Sequence, residues 1–464
     1  MKLYSENESY KLYQGNMLDM LDVIDKESID SIVCDPPYEL NFMSKGWDNA
    51  GVSFQPDTWR KCYEALKPGG YLLAFGGSRT FHRIACAIED AGFEIRDTIM
   101  WLYGAGFPKS MNIGLAIDKK NGIKSKIIGK GKSGTSSRAY QSEETTTAGN
   151  YEIKQAQNKW QGWGTALKPS FEPIIVARKP FKGSLVDNII EYGVGGINID
   201  ECRIGLNGEK APKGSGNICN SGIEQKWGFK GNGGNETSNL GRFPANTILT
   251  YDETDFDEVC SGFPQSKGCS KIDYSNVKKK NIYGGNSFQN SKTQYSGVFQ
   301  GYNDNGSASR YFYCAKASKK DRDEGLDEFE IKGAKELLNR EENSDGASWN
   351  GKYSSGNAYA GSGAPKKNTH PTVKPTTLMQ YLVRLVTPNN GTVLDPFNGS
   401  GSTGKAVMYE NKERNKNYKY IGIELTEEYL PIAKARIEYV CNLKEDKLKD
   451  MQMSIFDYLE SKGE

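Results

Sequence analysis

Apolar residues recur with two different spacings in the first part of the chain, and glycine and proline separate the runs. Short continuous apolar runs, typical of buried strands, lie at 31–34, 71–75 and 95–103. Between them, at 59–66 and 81–91, apolar residues have helical spacing. A chain that alternates strands and helices in this way favours a doubly wound, mostly parallel α/β sheet.

This alternation stops after residue 201 and resumes near residue 369. A further strand is predicted at 172–178, but Gly, Asn, Ser and Lys dominate the next stretch. Beyond that stretch the pattern predicts further helices and strands, at 377–386, 392–394, 404–411, 420–423 and 427–440. We therefore expect one α/β domain interrupted by a loop-rich module, followed by a C-terminal extension; the parts are 1–201, 202–368, 369–445 and 446–464.

Charge and cysteine content exclude several classes of protein. The 60 Lys and Arg residues nearly balance the 58 Asp and Glu residues, so a nucleic-acid partner would have to bind local basic patches. Nine cysteines without a C-x-x-C pair, and only two histidines, predict reduced thiols and no metal site. No run of about 18 apolar residues occurs. We therefore expect a cytoplasmic protein that does not enter a membrane.

A rigid turn with a carboxylate follows the strand predicted at 31–34. Asp35 precedes two prolines, Pro36 and Pro37, whose rings fix φ and turn the chain beyond the sheet edge. Tyr38 comes next. The Asp35 carboxylate and the Pro36 carbonyl can accept hydrogen bonds from an amino group, and the Tyr38 ring offers a stacking surface. These four residues are a candidate catalytic site for a flat heteroaromatic amine.

A glycine-rich loop follows the strand predicted at 392–394 and opens the next helix. Gly399, Gly401 and Gly404 form the pattern G-x-G-x-x-G. Glu424 lies about 20 residues further on, where an acid that binds a ribose belongs. Taken alone, this pattern also predicts a dinucleotide-dependent oxidoreductase, which is the rival enzyme class.

Two features of the loop favour a nucleoside cofactor without phosphate, such as S-adenosylmethionine. Asp395-Pro396 stands where a dinucleotide-binding strand would run directly into its first glycine, and no hydride-transfer partner is evident. We expect Glu424 to bind the ribose hydroxyls and Asp395 to face the amino-acid end. The other loop residues of the predicted cofactor site are Phe397, Asn398, Gly399 and Gly401.

The order of the two motifs resembles the β class of DNA amino-methyltransferases. In that class the catalytic motif, here Asp35–Tyr38, precedes the target-recognition region, and the cofactor motif, here Asp395–Gly401, comes last. Other segments similar to that family lie at 13–16, 69–77, 167–180 and 370–375. The resemblance implies a Rossmann-like methyltransferase sheet, S-adenosylmethionine as cofactor and a target-recognition role for the inserted module.

The resemblance also implies further contacts with the cofactor. Asn16, where the family often has Asp, is expected near the adenine and can accept from its amino group through the amide oxygen. Segment 370–375 is expected to enclose the methionine end, with Thr372 and Lys374 as candidate contacts. Asp35 is expected to border the same cofactor.

The target is predicted to be an exocyclic amine of a DNA base. None of the nine cysteines follows a proline, as the nucleophile of C5-cytosine enzymes does, and Cys34 is expected in the core. An Asp-first motif goes mostly with adenine N6 in the family, so adenine N6 is the first choice and cytosine N4 the alternative. The base must leave the duplex to reach the turn.

Duplex DNA is the predicted partner. Residues 119–138 contain seven basic residues and no acid, which predicts a flexible loop that contacts phosphates, and 202–320 has a basic surplus and predicts the recognition surface. A homodimer and a separate restriction endonuclease stay open as further partners. A DNA-binding protein without catalytic activity is a further alternative, although the intact motifs argue against it.

Overall fold

A computed structural model describes most of the sheet-forming part of the chain. The described residues are 1–40, 51–103, 110–132, 150–205, 241–251, 265–266, 272–273, 298–299, 306–307, 312–316, 319–331 and 367–444. The chain divides into two compact units, the first of which contains Met1–Asn198, Asn246–Asp252 and Cys314–Met451. The second unit contains Ile199–Ala245, Glu253–Tyr313 and Gln452–Glu464. Most of the predicted module 202–368 and the extension 446–464 lie outside the described residues, so the predicted domain boundaries stay predictions.

The strands of the described residues are named in chain order. They are β1 (Lys2–Glu6), β2 (Tyr10–Gln14), β3 (Ile29–Cys34), β4 (Leu66–Phe75), β5 (Glu94–Tyr103), β6 (Lys126–Lys132), β7 (Asn150–Gln155), β8 (Phe171–Arg178), β9 (Thr247–Tyr251), β10 (Gln265–Ser266), β11 (Ile272–Asp273), β12 (Val298–Phe299), β13 (Gly306–Ser307), β14 (Tyr313–Lys316), β15 (Thr392–Asp395) and β16 (Lys419–Glu424).

The helices are named in the same way. The α-helices of the described residues are α1 (Pro56–Ala65), α2 (Phe81–Asp90), α3 (Ile113–Lys120), α4 (Leu185–Tyr192), α5 (Lys319–Asp323), α6 (Thr376–Val386), α7 (Ser402–Arg414) and α8 (Leu430–Cys441). Short 3-10 helices lie at Met17–Asp22, Val52–Phe54, Asp200–Cys202 and Glu427–Tyr429. Within the described residues, every helix is too short or too polar to cross a membrane.

The central sheet has ten strands in the order β1-β2-β16-β15-β3-β4-β8-β5-β9-β14. Strands β2, β16, β15, β3 and β4 pair in parallel. Strand β8 is antiparallel to both of its neighbours, β4 and β5. The mostly parallel α/β sheet predicted from the sequence is therefore confirmed, and the strand order reverses between β3 and β15.

The centre of the sheet is apolar, and helices α1, α2 and α6 pack against its central strands. Every residue of β3 is buried, as expected for a central parallel strand. Cys34 packs in the main hydrophobic cluster with Trp59 and Leu72, as predicted. Two polar residues of β3 are buried and bonded: Asp30 accepts from Lys67 Nζ and from Thr392 N, both at 2.7 Å, and the Ser31 hydroxyl forms a 2.8 Å hydrogen bond with the Thr387 hydroxyl.

Two predicted element boundaries differ from those observed. The glycines after Pro68 were expected to separate α1 from the next strand, but β4 already begins at Leu66, which pairs with Ile29 on β3. The helix expected at 427–440 begins instead as a 3-10 turn and becomes α-helical at Leu430, one residue before Pro431. Proline is favoured in the first helical turn because it has no N–H to donate.

The basic segment 119–138 contains regular structure where it is described, so its prediction as a loop was wrong there. Lys119 and Lys120 end α3, and β6 pairs with β7 as an antiparallel hairpin. The β-branched residues Ile127 and Ile128 on β6 favour strand formation. Residues 133–149, including Arg138, lie outside the described residues.

Candidate functional site

The candidate site lies at the edge of the sheet where β3 and β15 end. These parallel strands are neighbours, with Leu394 paired to Ile32, so Asp35 and Asp395 come to the same edge. The chain leaves β3 toward β4 and leaves β15 toward β16, on the opposite side. In open α/β sheets, ligands bind in the crevice at such a reversal, beyond the carboxyl ends of the strands.

A cavity of about 1410 Å³ lies at this edge. It is lined by every predicted site residue except Gly401, namely Asn16, Asp35, Pro36, Pro37, Tyr38, Thr372, Lys374, Asp395, Phe397, Asn398, Gly399 and Glu424. The fold thus brings the two sequence motifs, from opposite ends of the chain, to one cavity that is large enough for a nucleoside and a base together.

The turn after β3 is fixed by hydrogen bonds to its backbone. The Ser53 hydroxyl donates to the Pro37 carbonyl at 2.7 Å, and the Thr80 hydroxyl donates to the Tyr38 carbonyl at 2.8 Å. Asp35 Oδ2 accepts from Lys374 Nζ at 2.7 Å. The other oxygen, Oδ1, is buried and has no hydrogen-bond partner among the described residues. Since a buried acceptor without a partner is costly, this atom is suited to an incoming donor.

Lys374 is not a solvated cation but is buried between two carboxylates. Its Nζ lies 2.7 Å from Asp35 Oδ2 and 3.4 Å from Glu172 Oε2. Burial alone would lower the pKa of Lys374, but the two carboxylates outweigh burial and raise this pKa. Lys374 therefore stays charged and contacts the predicted catalytic motif directly, while its predicted contact with the cofactor stays a prediction.

Glu172 is a site residue that sequence reasoning missed. It lies near the start of β8, and its Oε2 accepts from the Tyr38 hydroxyl at 2.8 Å. Burial, followed by the charges of Asp35 and Glu172, raises the pKa of Tyr38, so the phenol stays neutral. Glu172 is the single acid in segment 167–180 and lies within its apolar strand, and this is the sequence signal that could have identified it. A carboxylate in that setting requires a buried partner.

The glycine-rich loop is held by Glu424. One carboxylate oxygen accepts from the Gly399 backbone N–H and the other from the Thr426 backbone N–H, both at 2.7 Å. Burial raises the pKa of Glu424. Each carboxylate oxygen has a second lone pair, so the predicted ribose contact is compatible with these bonds and stays a prediction.

Gly399 and Gly401 are favoured at their positions in the loop for different structural reasons. Gly399 has φ of +50°, and a Cβ atom there would lie 2.8 Å from His370 Nε2 at the cavity wall. Burial lowers the pKa of His370 to about 3, so this imidazole is neutral and Nδ1 donates to the Thr372 carbonyl at 2.7 Å. Gly401, with φ of +73°, instead packs closely against Ala433 of α8 and does not line the cavity.

The side chains of Asp395 and Asn16 accept hydrogen bonds from residues close to them in the sequence. Asp395 accepts from the Thr403 hydroxyl at 2.6 Å and from the Phe397 N–H at 3.0 Å, and burial raises its pKa to about 7. The Asn16 side chain caps the 3-10 helix Met17–Asp22 by accepting from Leu18 N at 3.1 Å. The predicted contact of Asn16 with the adenine stays a prediction.

The site also limits the chemistry available to the chain. Burial, followed by the neighbouring charge of Asp395, raises the pKa of the Cys34 thiol, so Cys34 is not a thiolate nucleophile. Within the described part of the chain, no three His, Cys, Asp or Glu residues are grouped so that they could hold a metal ion. The arrangement is an acceptor, an aromatic ring and a buried cation beside a glycine-rich loop.

Comparison with known proteins gives a family for this arrangement. A family model described as DNA methylase matches residues 29–435, well over half of the chain. The Type II methyltransferase M.HindIII of Haemophilus influenzae is 26% identical over 146 residues, 31% of this chain and 37% of that protein. The Type II methyltransferase M2.LlaDCHI of Lactococcus lactis subsp. cremoris is 40% identical over 68 residues, 15% of this chain and 23% of that protein.

These matches to relatives cover less than two fifths of the relatives' own length. Among solved structures, the PvuII DNA methyltransferase (cytosine-N4-specific) aligns with a TM-score of 0.37 and 13% identity, over 98% of this chain and 96% of that chain. The family match, by contrast, spans β3, β15 and both motifs that line the cavity. The chain therefore belongs to the N6/N4 family of DNA methylases.

Proposed function

We propose that the chain is a site-specific DNA methyltransferase of the β class. It transfers a methyl group from S-adenosylmethionine to adenine N6 in duplex DNA, by base flipping and direct in-line displacement. The observation that supports this most directly is Asp35 Oδ1, a buried acceptor in the cavity without a partner among the described residues. The amino group of a flipped base is a donor that matches this atom.

The residues around the glycine-rich loop fit S-adenosylmethionine. The absence of a Cβ at Gly399 keeps the backbone open beside His370, and the Asp395 and Glu424 carboxylates lie in the same cavity. Glu424 would bind the ribose hydroxyls, Asp395 the amino-acid end, and Asn16 the adenine. When bound, this cofactor supplies an electrophilic methyl group.

The chain's own residues prepare the amine and hold it in line. Hydrogen bonds from the base amino group to Asp35 Oδ1 and the Pro36 carbonyl localise its lone pair, and Tyr38 stacks on the base. Lys374 binds the other oxygen of Asp35 at 2.7 Å and so fixes the orientation of this carboxyl group. Positioning of the amine in line with the methyl group then contributes most of the rate enhancement, and no covalent enzyme intermediate is needed.

The Asp-first motif supports adenine N6 as the acceptor over cytosine N4. The buried Cys34 supports an amino group rather than a ring carbon as the acceptor. Duplex DNA is the substrate, and the region 202–368 reads the target sequence. A restriction endonuclease that cuts the same sequence when it is unmethylated would complete a restriction-modification pair.

Product analysis tests this function. Unmethylated plasmid DNA is incubated with the full chain and S-adenosylmethionine, digested to nucleosides and analysed by mass spectrometry. We expect N6-methyl-2′-deoxyadenosine; N4-methyl-2′-deoxycytidine alone would establish the alternative base, and 5-methyl-2′-deoxycytidine would refute the mechanism.

The Asp35→Ala variant should form no product yet bind the cofactor within a few-fold of wild type, because Asp35 acts mainly on the target amine. Asp90→Ala, which removes an exposed carboxylate at the end of α2, is the matched control and should keep wild-type turnover. Turnover by Asp35→Ala near the wild-type value would show that the active site is elsewhere.

A further inference from the structure

One apolar side chain stands in solvent at the mouth of the cavity. Residues 165–171 line the cavity wall, and Leu167 is 91% exposed, the highest value among the exposed large hydrophobic residues described. The backbone just before Leu167 is anchored, since the Ser110 hydroxyl oxygen accepts from Thr165 N at 2.9 Å and from Ala166 N at 3.2 Å. Leu167 therefore projects from a fixed support.

The chain segments that adjoin Leu167, by sequence or through the Ser110 bonds and the Asn112–Gly164 bridge, are rich in lysine. The described residues 110–132 and 150–168 contain two acids, Asp118 and Glu152. Asp118 is buried and accepts hydrogen bonds from Ser125, Gln157 and Asn158. Against these two acids stand nine lysines: Lys119, Lys120, Lys124, Lys126, Lys130, Lys132, Lys154, Lys159 and Lys168. An exposed apolar side chain beside lysine-rich segments suits a partner with a negatively charged surface and an apolar interior. Duplex DNA has both, in its phosphates and its stacked bases.

Leu167 is also close along the chain to the base-binding end of the cavity. Glu172, which binds the Tyr38 hydroxyl, is the fifth residue after Leu167, and such a stretch spans at most about 18 Å. A base that leaves the duplex for Asp35 leaves a gap in the base stack, and apolar side chains commonly fill such gaps.

We infer that Leu167 is the side chain that enters the base stack when the target base is flipped out. This inference rests on the proposed function and adds to it the residue that stabilises the opened duplex. Leu167 supplies apolar contact to the neighbouring base pairs, while lysines of the adjoining segments bind phosphates. It takes no part in the methyl transfer itself.

The test compares two duplexes that differ only at the target base. The sequence methylated in plasmid DNA is first located by sequencing, and oligonucleotides are made with the target either paired or opposite an abasic site. For Leu167→Ala we expect turnover on the paired duplex to fall at least about tenfold, because flipping loses its support. On the abasic duplex, where the target is already unpaired, turnover should return to within about threefold of wild type.

Two further variants separate insertion from a loss of folding or of general affinity. Leu167→Met, which keeps a long apolar side chain, should stay near wild type on both duplexes. Ile190→Ala removes another exposed apolar side chain, 79% exposed on α4 and away from the cavity, and should also stay near wild type.

Equal losses by Leu167→Ala on the paired and abasic duplexes would overturn the inference, and so would no loss on either. Both results leave the proposed function intact, because wild type still methylates DNA. A wild-type chain that methylates neither duplex nor plasmid would overturn the proposed function and, with it, this inference.

Discussion

Replacement of Asp395 by Asn should change how the stability of the fold depends on pH. Asp395 is 2% exposed, and its carboxylate accepts from the Thr403 hydroxyl and the Phe397 N–H. Burial raises its pKa from 3.8 to about 7. Asn at this position is neutral, has nearly the same volume, and can still accept from Phe397 N through its amide oxygen.

The magnitude follows from this difference in pKa. Each pKa unit corresponds to about 1.4 kcal/mol, so ionised Asp395 lowers the free energy of unfolding by about 4 kcal/mol at most. Between pH 4 and pH 7 the folded chain binds this proton and the unfolded chain does not, so the stability of wild type falls as the pH rises. Asp395→Asn lacks this loss, and its stability relative to wild type should grow by about 2 to 3 kcal/mol between pH 5 and pH 8.

Urea denaturation of wild type and Asp395→Asn at pH 5, 6, 7 and 8 measures this difference. Asp90→Asn, an exposed position on α2, should show a constant difference from wild type over the same range. A stability difference between Asp395→Asn and wild type that does not change with pH would show that Asp395 has an ordinary pKa, and would refute the argument from burial.

Three further predictions concern binding and turnover. Glu424→Ala removes the acceptor of the Gly399 N–H and should weaken S-adenosylmethionine binding by about 1.5–3 kcal/mol in calorimetry; tight NAD binding by wild type without a response to S-adenosylmethionine would contradict this. Tyr38→Phe should reduce turnover less than Tyr38→Ala, which loses stacking worth about 1–3 kcal/mol; equal losses would argue against stacking. Neutralising four lysines, Lys124, Lys126, Lys130 and Lys132, should weaken binding to all DNA sequences alike. The slope of log affinity against log salt concentration should become shallower by about 0.9 per lost phosphate contact. A change in the methylated target sequence would contradict this prediction.

The sequence alone was sufficient for the local parts of the fold and of the site. The apolar run at 31–34 and the prolines after it predicted a strand that ends in a rigid turn, and the structure has β3 followed by Asp35 at the sheet edge. The glycine pattern likewise predicted the loop between β15 and α7. These features depend on backbone restrictions and on periodicity within a few residues, which a sequence displays directly.

Tertiary structure decided the contacts between distant segments. Periodicity does not specify strand order, so it could not show that β8 inserts between β4 and β5 in the antiparallel direction. That insertion brings Glu172 to Tyr38 and Lys374, and it is the reason why Lys374 is buried between two carboxylates. The pKa values of Lys374 and Asp395 follow from the same packing, because burial and neighbouring charges exist only once the sheet has assembled.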